Sequence, residues 1–263
     1  MDILVCIKQV PGTNEVKIDP VTGVLNRNGV DSKMNPYDLY ALETALRLKE
    51  KHGGKVSVIS MGPPQAQAII REAYAMGADE GALVSDRKFG GADVLATSYT
   101  LSQGIKKFGK FDLILCGKQT TDGDTAQVGP EIAEYLNIPS VCNVSKFTEV
   151  MTDSVSVAMD MPHDVEIVQV QFPCLLTVEK DIFQPRLPSY IKKTATKEQT
   201  VQMYCLQDFD DKDEKKYGLS GSPTQVQRIF PPTSDKKREL WVESGTVLAD
   251  KMFEKISELK FIQ

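Results

Sequence analysis

The chain has 263 residues, of which 41% are hydrophobic and 25% charged, an ordinary composition for a globular protein. Its 31 basic and 36 acidic side chains give a net charge of -5, which argues against nucleic acid as a partner. The five cysteines lie far apart, and four of them lie in apolar runs, which predicts reduced thiols in a cytoplasmic protein. The first residues lack the features of a signal peptide, and no apolar run is long enough to cross a bilayer, so no membrane association is expected.

The first half of the chain alternates between strand-like and helix-like patterns. A continuous apolar run at residues 3–10 predicts a buried strand, and residues 17–26 predict a small hairpin. Asn35 and Pro36 predict the start of a helix that runs through His52 and ends at Gly53. Further strands are expected at residues 55–62, 81–86 and 111–117, and further helices at residues 63–78, 92–108 and 124–136.

This alternation predicts a doubly wound α/β fold, because strands that alternate with helices pair in parallel through right-handed crossovers. We therefore expect a mostly parallel, Rossmann-like sheet of the kind that binds adenine nucleotides. Residues 155–160 and 166–172 alternate in polarity around a turn at Met161 and predict an antiparallel pair. Residues 174–181 predict one more buried strand.

The last part of the chain no longer alternates between strand-like and helix-like patterns. Residues 208–216 mix both charge signs, which predicts a solvated loop rather than a binding patch. We expect a nucleotide-binding domain over residues 1–230 and a C-terminal linker and amphipathic helix arm over residues 231–263. The sequence leaves open whether this arm docks on its own domain or on a partner subunit. The apolar stripe of the arm consists of Leu248, Met252, Ile256 and Leu259.

The most informative candidate site lies in residues 117–130, after the fourth predicted strand. In open α/β sheets a ligand sits beyond the carboxyl ends of the strands, where the strand order reverses. A tight turn at Asp122, Gly123 and Asp124 would precede a helix capped by Asp124 or Thr125. Such a helix start presents N–H groups and a positive dipole end, which suit a pyrophosphate. An ordinary capped loop is the alternative, and either aspartate could instead accept hydrogen bonds from ribose hydroxyls.

Standard nucleotide motifs and catalytic constellations are missing from the sequence. There is no GxGxxG motif, and Gly117 with Lys118 lacks the other residues of a P-loop. The two histidines, His52 at a helix end and His163 in a turn, suit structural roles better than catalysis. No HExxH, GxSxG or CxxC motif occurs, so no metal site is predicted and a cofactor is expected to carry any chemistry.

Seven segments together resemble the beta subunit of electron-transferring flavoproteins. The resemblance covers nearly the whole chain, and the joint order of the segments is more specific than any one of them. It implies a heterodimer with an alpha subunit that carries one FAD, while the beta subunit holds a second nucleotide. The segments are CIKQV, KMNPYDLYALETALRLKEK, SMGPP, AYAMGAD, LCGKQTTDGDTAQVGP, EKDIFQPRLPSYIKK and QRIFPP.

Three stretches, SMGPPQA, VSDRKFGGADVLATSYTL and DGDTAQVGP, are similar to the electron-bifurcating branch of that family. Membership of this branch implies that the second nucleotide is FAD and that NADH donates a hydride to it. It also implies ferredoxin or flavodoxin as one acceptor and an acyl-CoA dehydrogenase-like flavoenzyme, reached through the alpha-subunit FAD, as the other. One alternative is a simple carrier whose beta subunit binds AMP as a structural ligand. An alternative from another class is an ATP-binding, universal-stress-like regulatory module.

The resemblance also implies roles for single residues at the strand ends. Arg87 would lie near the isoalloxazine, where a guanidinium stabilises reduced, anionic flavin; a solvated surface arginine is the alternative. Leu187 in RLPSYIKK would be an apolar anchor that inserts into the acceptor dehydrogenase, and a leucine that packs within its own loop is the alternative. The other implied cofactor-binding residues are Cys6, Lys8, Asn35, Tyr37, Asp38, Met61, Gly62, Gly117, Thr120, Thr121, Asp122, Gly123, Asp124, Thr125, Ala126, Gln127 and Val128.

Overall fold

The structure is a computed structural model that describes residues 1–12, 32–227 and 239–261. The chain divides into two compact units, Met1–Gln227 and Arg228–Gln263. The strands are β1 (Asp2–Cys6), β2 (Gln9–Pro11), β3 (Ser32–Met34), β4 (Lys55–Met61), β5 (Glu80–Val84), β6 (Leu113–Gly117), β7 (Ser140–Val150), β8 (Ser154–Asp160), β9 (Val165–Gln171), β10 (Cys174–Val178) and β11 (Gln202–Tyr204). The α-helices are α1 (Pro36–His52), α2 (Gln67–Met76), α3 (Val94–Phe108), α4 (Val128–Leu136), α5 (Tyr190–Ala195) and α6 (Gly245–Glu258).

One nine-stranded sheet organises the first unit, with the order β11-β5-β4-β1-β6-β10-β7-β8-β9. The strands from β11 to β7 pair in parallel, whereas β8 and β9 extend the sheet in antiparallel pairs. The chain builds outward from β1 through β4 to β5 and then returns to β6 on the other side of β1. The strand order therefore reverses between β1 and β6, which is the switch point of the sheet. The predicted doubly wound, mostly parallel α/β fold is confirmed.

Helices cover both faces of this sheet, and each face has its own apolar core. Leu42 of α1 and Ile70 of α2 belong to one core, and Leu101 of α3 belongs to the other. Successive side chains of a strand point to opposite faces, so Leu4 and Val5 of β1 lie in different cores and both are fully buried. Burial on both faces explains why β1 is a continuous apolar run.

The first strand is shorter than the predicted residues 3–10 because the backbone leaves the sheet after Cys6. At Lys8 the backbone N–H donates to Asp38 Oδ2 at 2.7 Å, and its carbonyl accepts from the Asn35 N–H at 2.8 Å. Residues beyond this point form β2, which pairs with β3 in a separate antiparallel ladder. The hairpin predicted at residues 17–26 lies outside the described residues.

Helix α4 begins at Val128, later than the predicted residue 124. Asp124 and Ala126 have φ angles of 55° and 56°, and a right-handed helix excludes this left-handed region. Gln127 occupies the N-cap position and makes no side-chain hydrogen bond to the first turn. The predicted cap by Asp124 or Thr125 is therefore wrong.

The mixed-charge segment at residues 208–216 is less solvated than predicted. Phe209 within it and Tyr217 just after it are buried, and their rings stack with centroids 6.1 Å apart. The Asp211 carboxylate accepts hydrogen bonds from the Tyr99 hydroxyl of α3 and from Lys216 at 2.6 Å. The segment therefore packs against α3 through its aromatic residues and exposes its remaining charges.

The second unit contains the predicted amphipathic helix, α6. Leu248 and Met252 of this helix line a shallow groove together with Trp241. Met252 is 53% exposed and Leu259 55% exposed, and α6 as described has no buried residue. The apolar stripe is thus present on the helix, while the surface on which it docks stays a prediction.

The packing of α3 on the sheet predicts the effect of a methyl group at Gly104. A Cβ there would lie 2.6 Å from Val84 Cγ2 and 3.3 Å from Ile59 Cδ1. Alanine raises helix propensity by about 1 kcal/mol, but overpacking of a core costs about 1–3 kcal/mol. We expect Gly104→Ala to lower the free energy of unfolding by about 1 kcal/mol in urea denaturation. Gly245→Ala, whose Cβ meets nothing within 4 Å, is the control, and equal stability of the two variants would contradict the packing.

Candidate functional site

The candidate site lies at the switch point, where the chain leaves β1 and β6. β1 leads to Lys8, and β6 leads through Gly117 into a loop that ends at α4. The Lys8 ammonium group contacts both carboxylate oxygens of Asp122, at 2.8 and 2.9 Å. Both side chains are partly exposed, at 44% for Lys8 and 31% for Asp122. This ion pair joins the two sides of the crevice.

Asn35, immediately before α1, is fully buried and bonds to both loops of the site. Its Nδ2 donates to the Gln119 carbonyl and to Asp38 Oδ1, each at 2.9 Å. Its Oδ1 accepts from the Thr121 N–H at 3.2 Å. Asp38 Oδ2 in turn accepts from the Lys8 N–H. The start of α1 therefore fixes the chain after β1 and the chain after β6 at one point.

The two carboxyl groups nearest the crevice differ in their acidity. Burial raises the pKa of Asp38 to about 7, although hydrogen bonds from Asn35 and Lys8 and the Lys8 charge act in the opposite direction. Burial also acts to raise the pKa of Asp122, but the hydrogen bond and charge of Lys8 outweigh it and leave this pKa below its usual value. At neutral pH the site therefore holds an ionised carboxylate, Asp122, which pairs with Lys8. It also holds a buried carboxyl group, Asp38, whose pKa lies near neutral pH.

Gly117 at the end of β6 allows α1 to approach the sheet closely. A Cβ on this residue would lie 2.6 Å from Asp38 Oδ1, 2.6 Å from the Tyr37 carbonyl carbon and 2.7 Å from Tyr37 Cβ. Two of these neighbours are main-chain or Cβ atoms, which cannot move aside without moving the helix. Any side chain at position 117 would therefore push the first turn of α1 away from the crevice.

The loop between β6 and α4 is folded on itself and leaves the helix start without a side-chain cap. The Asp124 N–H donates to the Thr120 carbonyl at 3.0 Å, and the Gly123 N–H donates to Thr120 Oγ1 at 3.4 Å. The Asp124 carboxylate accepts from the Gln119 side chain, just as Asp122 accepts from Lys8. Because both aspartates are engaged elsewhere, the first-turn N–H groups of α4 remain free of carboxylate caps.

The backbone just before α4 also has the form of an anion-binding concavity. Ala126 has a left-handed φ of 56°, and the next residue, Gln127, is right-handed with φ -111° and ψ -25°. When a left-handed and a right-handed backbone conformation follow one another, the neighbouring N–H groups point toward a common point. This arrangement is called a nest and binds anions. Residues 121–127 are exposed, so a ligand can reach them. Thr125, Ala126, Gln127 and Val128 thus belong to the site through their backbone.

The remaining predicted site residues follow neighbouring strands. Cys6 lies in register with Cys116. The Cys116 thiol donates a hydrogen bond to Cys6, and this bond together with burial raises the pKa of Cys116. Met61 ends β4 and Gly62 follows it, directly beside β1. Arg87 follows β5, one strand farther out, and is exposed; two strand spacings separate β5 from β1 by about 10 Å. All of these residues therefore lie at the carboxyl ends of the strands, with Arg87 the farthest from the switch point.

Sequence reasoning missed two polar residues of the same loop. Gln119 accepts from Asn35 through its carbonyl and donates to Asp124 through its side chain. Lys118 pairs with Glu179 at 2.5 Å and so joins the loop after β6 to the loop after β10. Both residues stand between predicted site positions, but their partners lie on other strands and cannot be read from local spacing.

The polar groups of the candidate site suit ligand binding. In residues 1–12, 32–227 and 239–261, no three His, Cys, Asp or Glu side chains are grouped so that they could hold a metal ion. All five cysteines are free thiols.

None of the helices in the described part of the chain is long and apolar enough to cross a membrane. The crevice offers backbone donors, carboxylate acceptors and one lysine, and these groups suit an anionic, hydroxyl-bearing ligand such as a nucleotide.

Comparison with known proteins assigns the chain to a family. A model of the electron transfer flavoprotein domain matches residues 22–204, well over half of the chain. The chain belongs to this family. The electron transfer flavoprotein subunit beta of Clostridium acetobutylicum is 51% identical over 228 residues, which cover 87% of each chain. The resemblance to the beta subunit of these flavoproteins is therefore confirmed.

Two other relatives of this flavoprotein chain have more specific names. The caffeyl-CoA reductase-Etf complex subunit CarD of Acetobacterium woodii is 46% identical over 261 residues, which cover 99% of this chain and 98% of that protein. The protein FixA of Azorhizobium caulinodans is 39% identical over 263 residues, covering 97% of this chain and 94% of that protein. The similarity thus extends over almost the full length of both relatives.

The raised pKa of Asp38 predicts a pH dependence of stability. Its ordinary pKa is 3.8 and its folded pKa about 7, so between these values the folded state holds a proton that the unfolded state has lost. The free energy of unfolding should therefore fall as pH rises from about 4 to about 7. We expect Asp38→Asn, which is neutral throughout, to flatten this slope in urea denaturation. Asp210→Asn, at an exposed position, should keep it, and an unchanged slope in Asp38→Asn would contradict the assignment.

Proposed function

We propose that this chain is the beta subunit of a heterodimeric electron-transferring flavoprotein of the electron-bifurcating type. In this proposal it holds FAD at the switch point, takes electrons from NADH and pairs with an alpha subunit that carries the second FAD. The acceptors are ferredoxin or flavodoxin and an acyl-CoA dehydrogenase-like flavoenzyme. Its five free thiols fit the reducing cytoplasm as its location.

The observation that carries the proposal is the uncapped start of α4 at the switch point. Its free N–H groups, the nest at residues 126 and 127 and the positive end of the helix dipole favour a phosphate. Lys8 adds a partly exposed ammonium group to the loop before α4 by pairing with Asp122. The carboxylates of Asp122 and Asp124 are acceptors that suit the hydroxyls of a ribose. These donors and acceptors fit the phosphate and sugar parts of a nucleotide.

The choice of FAD over AMP is supported by the spread of the predicted residues across the carboxyl ends of four strands. They extend from the loop after β6, across β1 and β4, to Arg87 after β5, a span of about three strand spacings or 15 Å. AMP would occupy only one end of such a span. A bound flavin supplies the redox chemistry, and Arg87 is the residue that would favour its reduced, anionic form.

The name of the CarD relative supports the choice of acceptor. That protein is a subunit of a complex between an Etf and caffeyl-CoA reductase, an enzyme that acts on a CoA thioester. The apolar stripe of α6 supports a partner subunit, because an amphipathic helix requires a surface for its apolar face. We assign that surface to the alpha subunit.

Nucleotide content tests the proposal directly. We expect the complex purified after co-expression with its alpha subunit to release two FAD per heterodimer and to be reduced by NADH, as followed by its visible spectrum. One FAD and one AMP would instead identify a non-bifurcating carrier. ATP bound to a homodimer of this chain would contradict the electron-carrier function.

The contribution of Lys8 to the site can be separated from general charge effects. Lys8→Met removes the cation that pairs with Asp122 in the loop before α4, so we expect nucleotide affinity to fall about tenfold, the usual scale for a lost hydrogen bond to a charged group. Lys55→Met is the matched control, because Lys55 is 41% exposed and also pairs with a carboxylate, that of Glu80. This pair lies at the amino ends of β4 and β5, away from the candidate site. Equal affinities in the two variants, measured by calorimetry on the nucleotide-depleted complex, would place the nucleotide elsewhere.

The proposed anchor, Leu187, is tested by electron delivery. Leu187 is 88% exposed, so truncation should leave the fold and the bound nucleotides intact. We expect Leu187→Ala to raise the KM for the acyl-CoA dehydrogenase-like acceptor roughly tenfold, as for a hot-spot residue. Leu219→Ala, at another exposed leucine (53%), should have no effect. Unchanged delivery by Leu187→Ala would exclude this residue as the anchor.

A further inference from the structure

The segment that carries Leu187 lies along one face of α1. Four residues of this helix recur at spacings of three and four, which places their side chains in one row. At the start of the segment, the Tyr40 hydroxyl donates to Asp181 Oδ1 at 3.1 Å. The Arg47 guanidinium lies 4.7 Å from the centre of the Phe183 ring. The four residues in the row are Tyr40, Glu43, Arg47 and Glu50.

The strongest contact in this row is between Glu43 and Arg186, the residue before Leu187. The Glu43 side chain is only 2% exposed. Its Oε2 accepts from both the backbone N–H and the Nε of Arg186, at 3.1 and 2.8 Å, and its Oε1 accepts from Nη2 at 3.2 Å. Arg186 Nη1 reaches the exposed Glu50 at 2.5 Å. Main chain and side chain of Arg186 are therefore both fixed to α1.

Glu43 is held ionised at this position. Burial acts to raise its pKa, but the hydrogen bonds from Arg186 and Arg47 outweigh that effect and lower it. Release of Arg186 would take three hydrogen bonds from this buried carboxylate and leave Arg47 as its cationic partner. A buried charged group that loses hydrogen bonds is destabilised. Release of Arg186 from Glu43 is therefore opposed, and residue 186 stays where it is.

The other side of Leu187 is fixed to the end of α2. The Ser189 N–H donates to the Ala75 carbonyl at 2.9 Å, and the Lys192 ammonium group donates to the Met76 carbonyl at 3.3 Å. Only Leu187 and Pro188 lie between the two attachments, and both are exposed. Proline fixes its own φ and restricts the residue before it. An exposed leucine is thus held in one backbone conformation by attachments on both sides.

We propose that Glu43 and Arg186 are positioning residues that preorganise Leu187 for insertion into an apolar pocket of the acceptor flavoenzyme. The inference rests on the docking role of Leu187 in the proposed function. A loop that is already ordered loses less conformational entropy on binding, so a greater part of the contact free energy appears as affinity. Neither residue touches the nucleotide site, and their effect should be confined to the encounter with the acceptor.

The test compares acceptor kinetics of the complete complex with its alpha subunit. We expect Glu43→Gln and Arg186→Lys each to raise the KM for the acceptor flavoenzyme roughly three- to tenfold, the scale of losing the order of a short loop. The value of kcat and the number of bound nucleotides should stay unchanged. Arg186→Lys keeps a cation for Glu43, so it provides a folded variant if Glu43→Gln is too unstable to purify. Glu80→Gln breaks an ion pair with Lys55 at the amino ends of β4 and β5, and it should leave KM unchanged.

Combination with Leu187→Ala separates positioning from general damage. If Glu43 and Arg186 act through Leu187, the double variants Glu43→Gln/Leu187→Ala and Arg186→Lys/Leu187→Ala will have the same KM as Leu187→Ala alone, whereas independent effects would multiply. Multiplied effects, or an unchanged KM in a folded Arg186→Lys variant, would overturn the inference. A normal KM in Leu187→Ala alone would instead refute the docking role itself.

Discussion

The hydrogen bonds of Asn35 and Asp38 are the constraint on which the candidate site depends. A buried amide and a buried carboxyl group require partners for nearly all of their polar atoms, because an unsatisfied group in the interior is costly. In this chain the partners are backbone groups of Lys8, Gln119 and Thr121, which belong to the two loops that leave the switch point. Satisfying the side chain just before α1 and one in its first turn therefore fixes the shape of both loops. Gly117 is part of the same constraint, because only the lack of a side chain lets α1 come close enough.

Helix α1 also holds the segment that carries Leu187, and it does so with turns that do not contact the crevice. Its first turn shapes the crevice, whereas its middle and last turns hold the segment with Leu187 through Glu43 and Arg47. With 17 residues it extends about 25 Å, and a helix packed on a sheet moves as a unit. The place where a cofactor would be held and the place where an acceptor would dock are consequently fixed relative to each other within the first unit. A carrier that must present electrons to another protein benefits from such a fixed relation.

The fold could be predicted from sequence because its signals are local. Continuous apolar strands, the Asn35–Pro36 helix start and the Gly53 helix end each depend on residues near one another, and all were placed within a few residues. The start of α4 was misplaced because Asp124 and Ala126 adopt left-handed φ, a region that non-glycine residues seldom enter. Their conformation follows from Asp124 bonding to Gln119 and Thr120, not from propensity. Motif resemblance pointed to the loop after β6 as the candidate site, but local spacing did not reveal which of its aspartates pairs with a lysine.

Contacts between distant residues account for the rest of what sequence could not supply. Glu43 and Arg186 are separated by 143 residues, and in sequence Glu43 resembles any acidic residue on an amphipathic helix. Only the structure shows that it is buried and that the main chain next to an exposed leucine bonds to it. The polar groups of the crevice are likewise bonded between distant segments, Lys8 to Asp122 and Asn35 to the backbone of Gln119 and Thr121. Groups already held by neighbours are poorly suited to act as nucleophiles, but their fixed positions suit them to recognise a ligand without rearrangement. The described residues therefore favour a chain that holds a cofactor in a defined place and leaves the chemistry to it.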